Sequence, residues 1–427
     1  MPRSNIKPEP LRVVTPEQAR DIAGRFGTPV YVYSKQLLRE QAEKAFAFPN
    51  SFGLTVRYAM KANPNPNFLI IFDRMGIKLD TSSGYEAERA HKAGIDFKNM
   101  TLTSQQIHHN LYGLVSLGVE YIACSLKQLE EYGKLFPGKN VSARINPGLG
   151  SGGTNRTNTG GESSSFGIWH EQLDGVFGLA REYNLNVKRI HTHIGSGSDP
   201  AVWQKVALMS LDIVAKFLDR GHDVRILNLG GGYKVARMSY EKATDLQECG
   251  KPVEKAFREF AGKTGVKLHL EIEPGTFLVA NAGCIIARVT DIKTTPRHKF
   301  VLIDSGMNEI TRPGLYGVEH PIFIVPADGV SPEPERIIIS GRCCESGDIL
   351  TPALGNPEKL KPRWVDGVRR GDLAVITGAG AYCAGMSTIN YNSYPQAPEV
   401  LLTEHGPKLI RKRQTLEQMT QNEIIVV

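Results

Sequence analysis

The sequence is poor in cysteine and in long apolar runs. Its 427 residues include six cysteines and no CxxC pair, a spacing that predicts reduced thiols rather than a disulfide framework. No stretch approaches the roughly 20 apolar residues that cross a bilayer, and residues 1–10 carry no apolar signal-peptide core. We therefore expect a cytoplasmic protein without a membrane partner.

The excess of positive over negative charge is also small. The formal net charge is only +7, and the basic residues are scattered, apart from Arg411, Lys412 and Arg413. No basic stripe with interleaved aromatic residues is present, so the sequence does not predict a nucleic-acid partner. Hydrophobic residues at 41% and charged residues at 22% are typical of an ordinary globular protein. Small anionic molecules are the expected partners.

From about residue 54 to residue 275, short apolar runs alternate with amphipathic stretches. This alternation is typical of βα units, and eight such strands predict a (β/α)8 barrel. The predicted strands are 54–59, 77–81, 100–103, 119–124, 141–145, 187–193, 224–229 and 267–272. The predicted helices include 67–75, 85–93, 126–136, 172–183, 201–220 and 252–264.

After about residue 283 the pattern changes to period-two strands separated by proline and glycine turns. Residues 30–33 have the same character and are predicted to join this sheet. The predicted organisation is therefore an N-terminal arm over 1–34, a barrel over 35–283 and an all-β domain over 284–427. The six strands predicted in the last domain are 285–292, 300–303, 337–339, 373–377, 399–403 and 408–411.

Barrel enzymes place their chemistry at the carboxyl ends of the strands. Lys61 follows the first strand, where an amine can form a Schiff base with pyridoxal phosphate. Gly230–Gly232 follow the seventh strand and let backbone N–H groups approach a phosphate, with Ser196 as a further donor. Glu273 follows the eighth strand and can pair with a pyridine nitrogen, while His193 can lie flat on a cofactor ring.

These candidates also have plainer interpretations. The glycines could form only a flexible turn, and Glu273 could belong to a structural ion pair. His191 and His193 could instead be metal ligands, although no third ligand with a recognised spacing follows them. The segment 148–165, which is rich in Gly, Ser, Thr and Asn, could be a mobile loop beside the site or an inert connection.

Three pairs of polar residues mark the second domain. An arginine with a tyrosine four residues later could clamp a carboxylate, although a surface pair is commoner. A thiol beside a carboxylate could transfer a proton, although adjacent cysteines are usually just small buried residues. Two phenols lie in loop-like contexts. The pairs are Arg312 with Tyr316, Cys344 with Glu345, and Tyr382 with Tyr391.

Seven strings between residues 58 and 402 carry these candidates, and their set and order resemble the fold-type III pyridoxal phosphate-dependent decarboxylases. That family acts on ornithine, lysine, arginine and diaminopimelate. Within it, the chain is most similar to the enzymes that convert meso-2,6-diaminopimelate to L-lysine and CO2, the last step of lysine biosynthesis. The strings are YAMKAN at Lys61, HTHIGSG at His193, LNLGGGY at Gly230–Gly232, EIEPG at Glu273, RPGLY at Arg312, CCESGD at Cys344 and GAYCAGMSTINYNSYPQAPEVLL at Tyr382.

The resemblance implies an alanine-racemase-like barrel with a β-domain, a pyridoxal 5'-phosphate cofactor and a homodimer whose active sites are shared. In the barrel it implies that a buried Lys61 holds the cofactor, that Glu273 pairs with the pyridine nitrogen and that His193 stacks on the ring. The further cofactor contacts that it implies are Ser196, Gly230, Gly231, Gly232, Gly275, Thr276, Tyr382 and Tyr391.

The resemblance also assigns the second domain. It implies that Cys344 is contributed by the other subunit as the proton donor, with Lys61 and His193 as the other catalytic residues. Glu345, also from the other subunit, would read the reacting centre of the substrate. The implied clamp for the distal carboxylate is Arg312 with Tyr316, and Tyr382 contacts the substrate as well.

Two positions depart from the family pattern. Thr276 stands where the family commonly has arginine after Glu-Pro-Gly, and Tyr394 stands where arginine often follows Asn-Ser. Both losses leave the pyridoxal chemistry intact and leave the distal group of the substrate open. A decarboxylase of D-lysine or D-ornithine type would suit fewer arginines, but Arg312 favours a carboxylate.

Three other classes are weaker alternatives. A racemase is disfavoured because Glu273, rather than arginine, is the expected ring partner. A non-catalytic pyridoxal phosphate carrier has a similar barrel but lacks the second domain. A metal-dependent hydrolase would have to use His191, His193 and a cysteine.

Overall fold

The structure is a computed structural model that describes residues 11–151, 158–195 and 197–426. The chain divides into two compact units. The barrel unit comprises Arg39–Lys234 and Lys242–Leu278, and the β-unit comprises the residues up to Leu38, Val235–Glu241 and the residues from Val279 onward.

The strands are β1 (Val30–Ser34), β2 (Leu54–Ala59), β3 (Lys78–Thr81), β4 (Met100–Leu102), β5 (Glu120–Ala123), β6 (Asn140–Asn146), β7 (Ile168–Trp169), β8 (Asn186–His191), β9 (Ile226–Asn228), β10 (His269–Ile272), β11 (Gly283–Thr294), β12 (Lys299–Ile303), β13 (Ile322–Val325), β14 (Glu335–Ser340), β15 (Pro352–Ala353), β16 (Asn356–Leu360), β17 (Arg363–Val365), β18 (Leu373–Thr377), β19 (Glu399–Thr403) and β20 (Gly406–Arg411). The α-helices are α1 (Pro16–Phe26), α2 (Lys35–Phe46), α3 (Pro66–Arg74), α4 (Gly84–Lys92), α5 (Leu111–Ser116), α6 (Leu126–Leu135), α7 (Leu173–Glu182), α8 (Pro200–Asp219), α9 (Leu246–Thr264), α10 (Thr276–Val279), α11 (Arg312–Tyr316) and α12 (Leu416–Thr420).

The barrel unit contains the predicted closed barrel. Its strands run in the order β2-β3-β4-β5-β6-β8-β9-β10, and β10 pairs in parallel with β2. The short strand β7 adds to β6 outside the ring. All eight predicted strands are present to within a few residues, so the barrel fold class is confirmed. The carboxyl ends of these strands meet at one end of the barrel, as the sequence analysis required.

The barrel helices begin at short polar side chains. The Ser83 and Ser125 side chains accept hydrogen bonds from the backbone N–H groups of the first turns of α4 and α6, and Asp199 does so for α8. Such caps satisfy N–H groups that the helix itself cannot pair.

Helix α9 is longer than predicted. It starts at Leu246 rather than at Pro252, so that proline lies inside the helix. The Asp245 side chain accepts hydrogen bonds from two backbone N–H groups of the first turn, and the early turns bury Leu246 and Cys249. This cap and this burial compensate for the hydrogen bond that a proline cannot donate.

The β-unit is built on a mixed sheet ordered β17-β14-β12-β11-β1-β19-β20, and β18 pairs with both β11 and β13. Strand β1 lies between β11 and β19, so the predicted recruitment of residues 30–33 into this sheet is confirmed. Helix α1, which the sequence analysis missed, buries Ala19, Ile22 and Ala23 in the core of this unit. Strand β13 was missed as well.

The β-unit also includes Val235–Glu241, which the sequence analysis assigned to the barrel. The carbonyl of Ala236 accepts hydrogen bonds from Arg12 Nη1 (3.0 Å) and Asn281 Nδ2 (3.0 Å). The Tyr240 hydroxyl donates to the Glu319 carboxylate. This segment therefore follows β9 of the barrel in sequence but packs its side chains in the β-unit.

None of the helices in the described part of the chain has the length and apolar character of a membrane span.

Candidate active site

A cavity of ≈ 420 Å³ in the barrel unit is lined by side chains at the carboxyl ends of the strands. Lys61 reaches it from a single helical turn, Met60–Ala62, that follows β2 directly. The expectation that Lys61 is buried is wrong, because this residue is exposed to solvent. His193 and Glu273 line the same cavity, so the structure brings these three predicted residues together.

Glu273 follows β10, and both of its carboxylate oxygens accept hydrogen bonds. Oε1 accepts from Asn228 Nδ2 at 2.7 Å, and Oε2 lies 3.1 Å from His191 Nε2. Burial raises the pKa of Glu273, but His191, His193 and Asn228 outweigh it and hold the pKa of Glu273 below its ordinary value. Glu273 is therefore a fixed anion in a buried setting.

His191 is fully buried beside Glu273. Burial lowers its pKa, although the Glu273 carboxylate opposes this shift. A neutral imidazole that carries its proton on Nε2 donates to Glu273. Within the described ranges, no group of three or more His, Cys, Asp or Glu side chains could hold a metal ion. The contact with Glu273 therefore accounts for His191 without a metal.

His193 lies two residues beyond the end of β8. Its Nδ1 accepts a hydrogen bond from the Gly195 backbone N–H at 3.2 Å and lies 3.3 Å from Thr159 Oγ1. Burial, Arg144 and Lys61 lower the pKa of His193 well below its ordinary value. The ring is thus neutral and is oriented by its own backbone.

The glycines after β9 are required by the local geometry. Gly230 and Gly232 have φ values of 68° and 103°, which side chains rarely adopt. A Cβ atom on Gly231 would lie 2.2 Å from the carbonyl oxygen of Glu273, and one on Gly230 would lie 2.7 Å from the Cβ of His193. This loop therefore packs directly against the strand ends that carry Glu273 and His193, and any side chain would fill the cradle.

Three more predicted contacts have different outcomes. Ser196 lies outside the described residues. Gly275 is buried, and a Cβ atom there would lie 3.3 Å from the Cβ atoms of Ala59 and Ala62, on either side of Lys61 in sequence. Thr276 is the first residue of the short helix α10. Of the segment 148–165, residues 152–157 also lie outside the described residues.

Asp80, at the end of β3, is a cavity residue that the sequence analysis missed. Its carboxyl group is buried and accepts a hydrogen bond from Thr103 Oγ1 at 2.9 Å. Burial and the nearby Glu273 raise the pKa of Asp80 to about 8, while Lys61 acts in the opposite direction. The cavity thus holds one ionised and one protonated carboxyl group, which is a common arrangement in active sites.

In the β-unit, the structure brings Cys344, Glu345 and Tyr391 together. The Tyr391 hydroxyl donates to Glu345 Oε2 at 3.3 Å, and the Cys344 backbone N–H donates to Asn392 Oδ1 at 2.8 Å. Of the two adjacent thiols, Cys344 is exposed and Cys343 is buried. Burial raises the pKa of Cys343 to about 12, which makes it the less reactive thiol.

The other predicted residues of the β-unit form a second group. Arg312 begins helix α11, and its guanidinium carbon lies 5.8 Å from the centre of the Tyr316 ring. Tyr382 has a φ of 55°, a left-handed conformation that is uncommon for a tyrosine. Such backbone strain is often found at functional sites.

Comparisons with known proteins agree with these features. Residues 36–280 match the family model described as pyridoxal-dependent decarboxylase, pyridoxal binding domain. The chain is 36% identical to the diaminopimelate decarboxylase of Escherichia coli K12 over 420 residues, covering 96% of this chain and 97% of the relative.

Two crystal structures extend the similarity to the fold. One of a diaminopimelate decarboxylase has a TM-score of 0.90 at 35% identity and covers 97% of this chain and 98% of its own. Another, of diaminopimelate decarboxylase from M. jannaschii in complex with L-lysine, has a TM-score of 0.84 at 27% identity and covers 95% of this chain and 94% of its own.

Proposed function

The chain belongs to the family of pyridoxal-dependent decarboxylases, and on this premise we propose that it converts meso-2,6-diaminopimelate to L-lysine and CO2. It is a carboxy-lyase that uses pyridoxal phosphate. The observation that carries this proposal is the cavity in which Lys61 and the anionic Glu273 lie together beside the glycine loop after β9. The similarity to diaminopimelate decarboxylases over nearly the full length of the chain supports the choice of substrate.

The residues of the barrel unit fit pyridoxal phosphate. Lys61 offers an accessible amine for the aldehyde, and the cradle of Gly230–Gly232 excludes side chains where a phosphate would bind. Glu273 offers a fixed carboxylate for the pyridine nitrogen, and His193 offers a neutral ring for stacking. When bound, the cofactor supplies a sink for the electron pair that remains when the carboxylate leaves.

We propose that one of the two carboxyl groups in the cavity is an anion and that the other is mostly protonated. Glu273 stays anionic because Asn228 and His191 hold both of its oxygens, and an anion there stabilises a protonated pyridine nitrogen. The neutral His193 adds no positive charge next to the ring. Asp80, mostly protonated at neutral pH, leaves the cavity with one fewer negative charge near Lys61.

For the β-unit we propose the roles that the family pattern suggests. Cys344, the exposed thiol of its pair, delivers a proton to the substrate carbon, and Glu345 orients the reacting centre. Arg312 and Tyr316 bind the distal carboxylate, and Tyr382 and Tyr391 contact the substrate or the cofactor. We further propose that the protein acts in the cytoplasm as a homodimer with shared active sites and has no nucleic-acid partner.

Lys61→Ala tests the cofactor assignment. The variant should lose the visible absorbance of bound pyridoxal phosphate and about 10³-fold or more of its decarboxylase activity, the scale expected when a covalent catalytic group is removed. Lys92→Ala, at an exposed position near the end of α4, is the matched control and should keep both. An unchanged spectrum in Lys61→Ala would refute the assignment.

A substrate panel tests the second part of the proposal. The purified protein should release CO2 from meso-diaminopimelate and form L-lysine, as measured by carbon dioxide release and by the chirality of the product. The LL isomer, D-lysine and D-ornithine should react much more slowly. Faster release from D-lysine or D-ornithine would show that the chain is a sister decarboxylase with the same mechanism.

A further inference from the structure

Arg237 is a buried arginine of the β-unit that forms no ion pair with a carboxylate in the described part of the chain. It lies in the segment Val235–Glu241 and is only 8% exposed. Its Nε donates to the carbonyl oxygen of Gly378 at 3.0 Å, but its Nη2 has no hydrogen-bond partner among the described residues. A guanidinium offers five N–H donors, and the bond to Gly378 uses only one of them.

A second guanidinium group, that of Arg312, lies near Arg237. Burial and the neighbouring Arg312 lower the pKa of Arg237 to about 9. Burial and both arginines also keep the pKa of His320 well below its ordinary value, so this imidazole is neutral. Arg312 likewise has an Nε without a hydrogen-bond partner in the described part of the chain.

Glu241, the carboxylate that opposes the lowering of the Arg237 pKa, already accepts hydrogen bonds from backbone groups. Its Oε2 accepts hydrogen bonds from the backbone N–H groups of Arg237 (2.6 Å) and Met238 (3.1 Å). Cys383 is another titratable neighbour of Arg237, and burial raises the pKa of its thiol to about 11, so it is neutral at pH 7. Arg237 thus lies near the guanidinium group of Arg312, each has an N–H group without a hydrogen-bond partner, and neither forms an ion pair with a described carboxylate.

Other arginines of the same unit have the carboxylate partner that Arg237 lacks among the described residues. Three of them have a carboxylate oxygen within ion-pair distance, whereas Arg237 forms no such pair with a described residue. Buried charges are normally stabilised by such a partner, so the guanidinium of Arg237, with its unbonded Nη2, is suited to an anion from outside the chain. The paired arginines are Arg342 with Glu309 (2.6 Å), Arg363 with Glu319 (3.4 Å) and Arg411 with Glu399 (2.8 Å).

We propose that Arg237 joins Arg312 in binding a carboxylate, and that this carboxylate is the distal one of the substrate. Arg237 then supplies a guanidinium group in a chain that lacks the two arginines the family usually has where Thr276 and Tyr394 stand. Paired guanidinium groups bind carboxylates tightly and discriminate against a distal ammonium. This inference rests on the proposed function and names a specificity residue that the family strings do not contain.

The first test measures binding of glutarate, an unreactive dicarboxylate, to the holoenzyme by calorimetry. Arg237→Gln should weaken binding about tenfold to a hundredfold, the effect of losing hydrogen bonds to a charged group. Arg237→Lys should retain part of the affinity, and Arg363→Gln, which removes an arginine that has its own carboxylate, should retain it fully. The inference is overturned if glutarate does not bind the unsubstituted protein, if Arg237→Gln binds it equally well, or if inorganic phosphate binds in an Arg237-dependent way instead.

The second test separates binding from structural support. With diaminopimelate, Arg237→Gln should raise KM by a similar factor, with a much smaller change in kcat, and should leave the cofactor absorbance intact. Its Tm should be unchanged or higher, because the substitution removes a buried charge without a partner. A lower Tm with losses spread equally over KM and kcat would instead identify a structural arginine.

The two proposals fail separately. If the unsubstituted protein releases no CO2 from diaminopimelate, the proposed function is wrong, whereas the binding of glutarate still decides whether Arg237 and Arg312 form a carboxylate site.

Discussion

The barrel unit and the β-unit each contain a pair of neighbouring arginines, but only the pair in the barrel unit lies against carboxylates of the described residues. In the barrel, Arg57 Nη2 lies 2.9 Å from Glu271 Oε1, and Arg189 Nε lies 3.0 Å from Glu271 Oε2. Glu120 accepts from both guanidinium groups, at 3.0 Å and 2.6 Å. In the β-unit, Arg237 and Arg312 have no comparable carboxylates among the described residues.

The difference distinguishes a structural cluster from a binding site. Two arginines and two glutamates balance one another in the barrel, so that cluster needs no ligand. It also supports the proposed cofactor site, because Asn228 Nδ2 donates to both Glu271 Oε2 (3.2 Å) and Glu273 Oε1 (2.7 Å). The unbalanced cluster in the β-unit gains its stabilisation only when an anion arrives.

The largest expected effect is on the balanced cluster. Glu271→Gln leaves two buried guanidinium groups with less negative charge and should lower the free energy of unfolding by about 3–5 kcal/mol, the cost of breaking a buried ion pair. Urea unfolding measures this change. Asp21→Asn, which breaks the exposed pair with Arg25, is the control and should cost about 0–1 kcal/mol.

Equal losses in these two variants would show that the barrel arginines do not depend on Glu271. The arginines of the barrel unit would then not differ from those of the β-unit in their need for a carboxylate partner.

A smaller effect is expected from the link between the structural cluster and the cavity. Asn228→Ala removes the donor to two buried carboxylates and the acceptor for the Gly230 backbone N–H. We expect a loss of about 1–3 kcal/mol in the free energy of unfolding, the cost of leaving buried polar groups unpaired, together with weaker binding of pyridoxal phosphate by the apoprotein.

Asn186→Ala is the control for this variant, because its amide hydrogen bond to Asn140 is exposed. If Asn228→Ala binds the cofactor as tightly as the unsubstituted protein, Asn228 supports the fold alone and does not position Glu273.

The comparison also shows what the sequence could predict. The sequence predicted Lys61, Gly230–Gly232 and Glu273 because each comes just after a predicted strand. The alternation of strands and helices along the sequence locates these strand ends, and barrel enzymes place their chemistry there. Asp80 obeys the same rule at the end of β3, but it was missed because an aspartate is a common residue at a turn.

Other features depend on contacts that no local pattern records. Asn228 contacts Glu271 because the two residues are paired in the register of β9 and β10. Arg237 lies in the β-unit because Val235–Glu241 belongs to that unit rather than to the barrel. A segment of this length has no period of its own, so its partner unit is decided by tertiary contacts such as those at Ala236 and Tyr240.

At any single pH near neutrality the smallest effect is expected from Asp80, the carboxyl group lining the barrel cavity that is not held as an anion. Burial and Glu273 raise the pKa of Asp80 to about 8, so between about pH 4 and pH 8 the folded protein holds a proton that the unfolded chain releases. This contribution to stability is fully present below the unfolded pKa and is lost as the pH rises through the folded one. Asp80→Asn should remove it.

Urea unfolding of the cofactor-free protein from pH 5 to pH 8 measures this contribution. In Asp80→Asn, the free energy of unfolding should fall less steeply with pH, by at most about 1.4 kcal/mol per pH unit, the value for one proton. Asp328→Asn is the control, because the pKa of Asp328 is lowered and its titration lies below this range. Identical slopes in Asp80→Asn and the unsubstituted protein would mean that Asp80 is ionised, and the cavity would then hold two anions that Lys61 and Arg144 must balance.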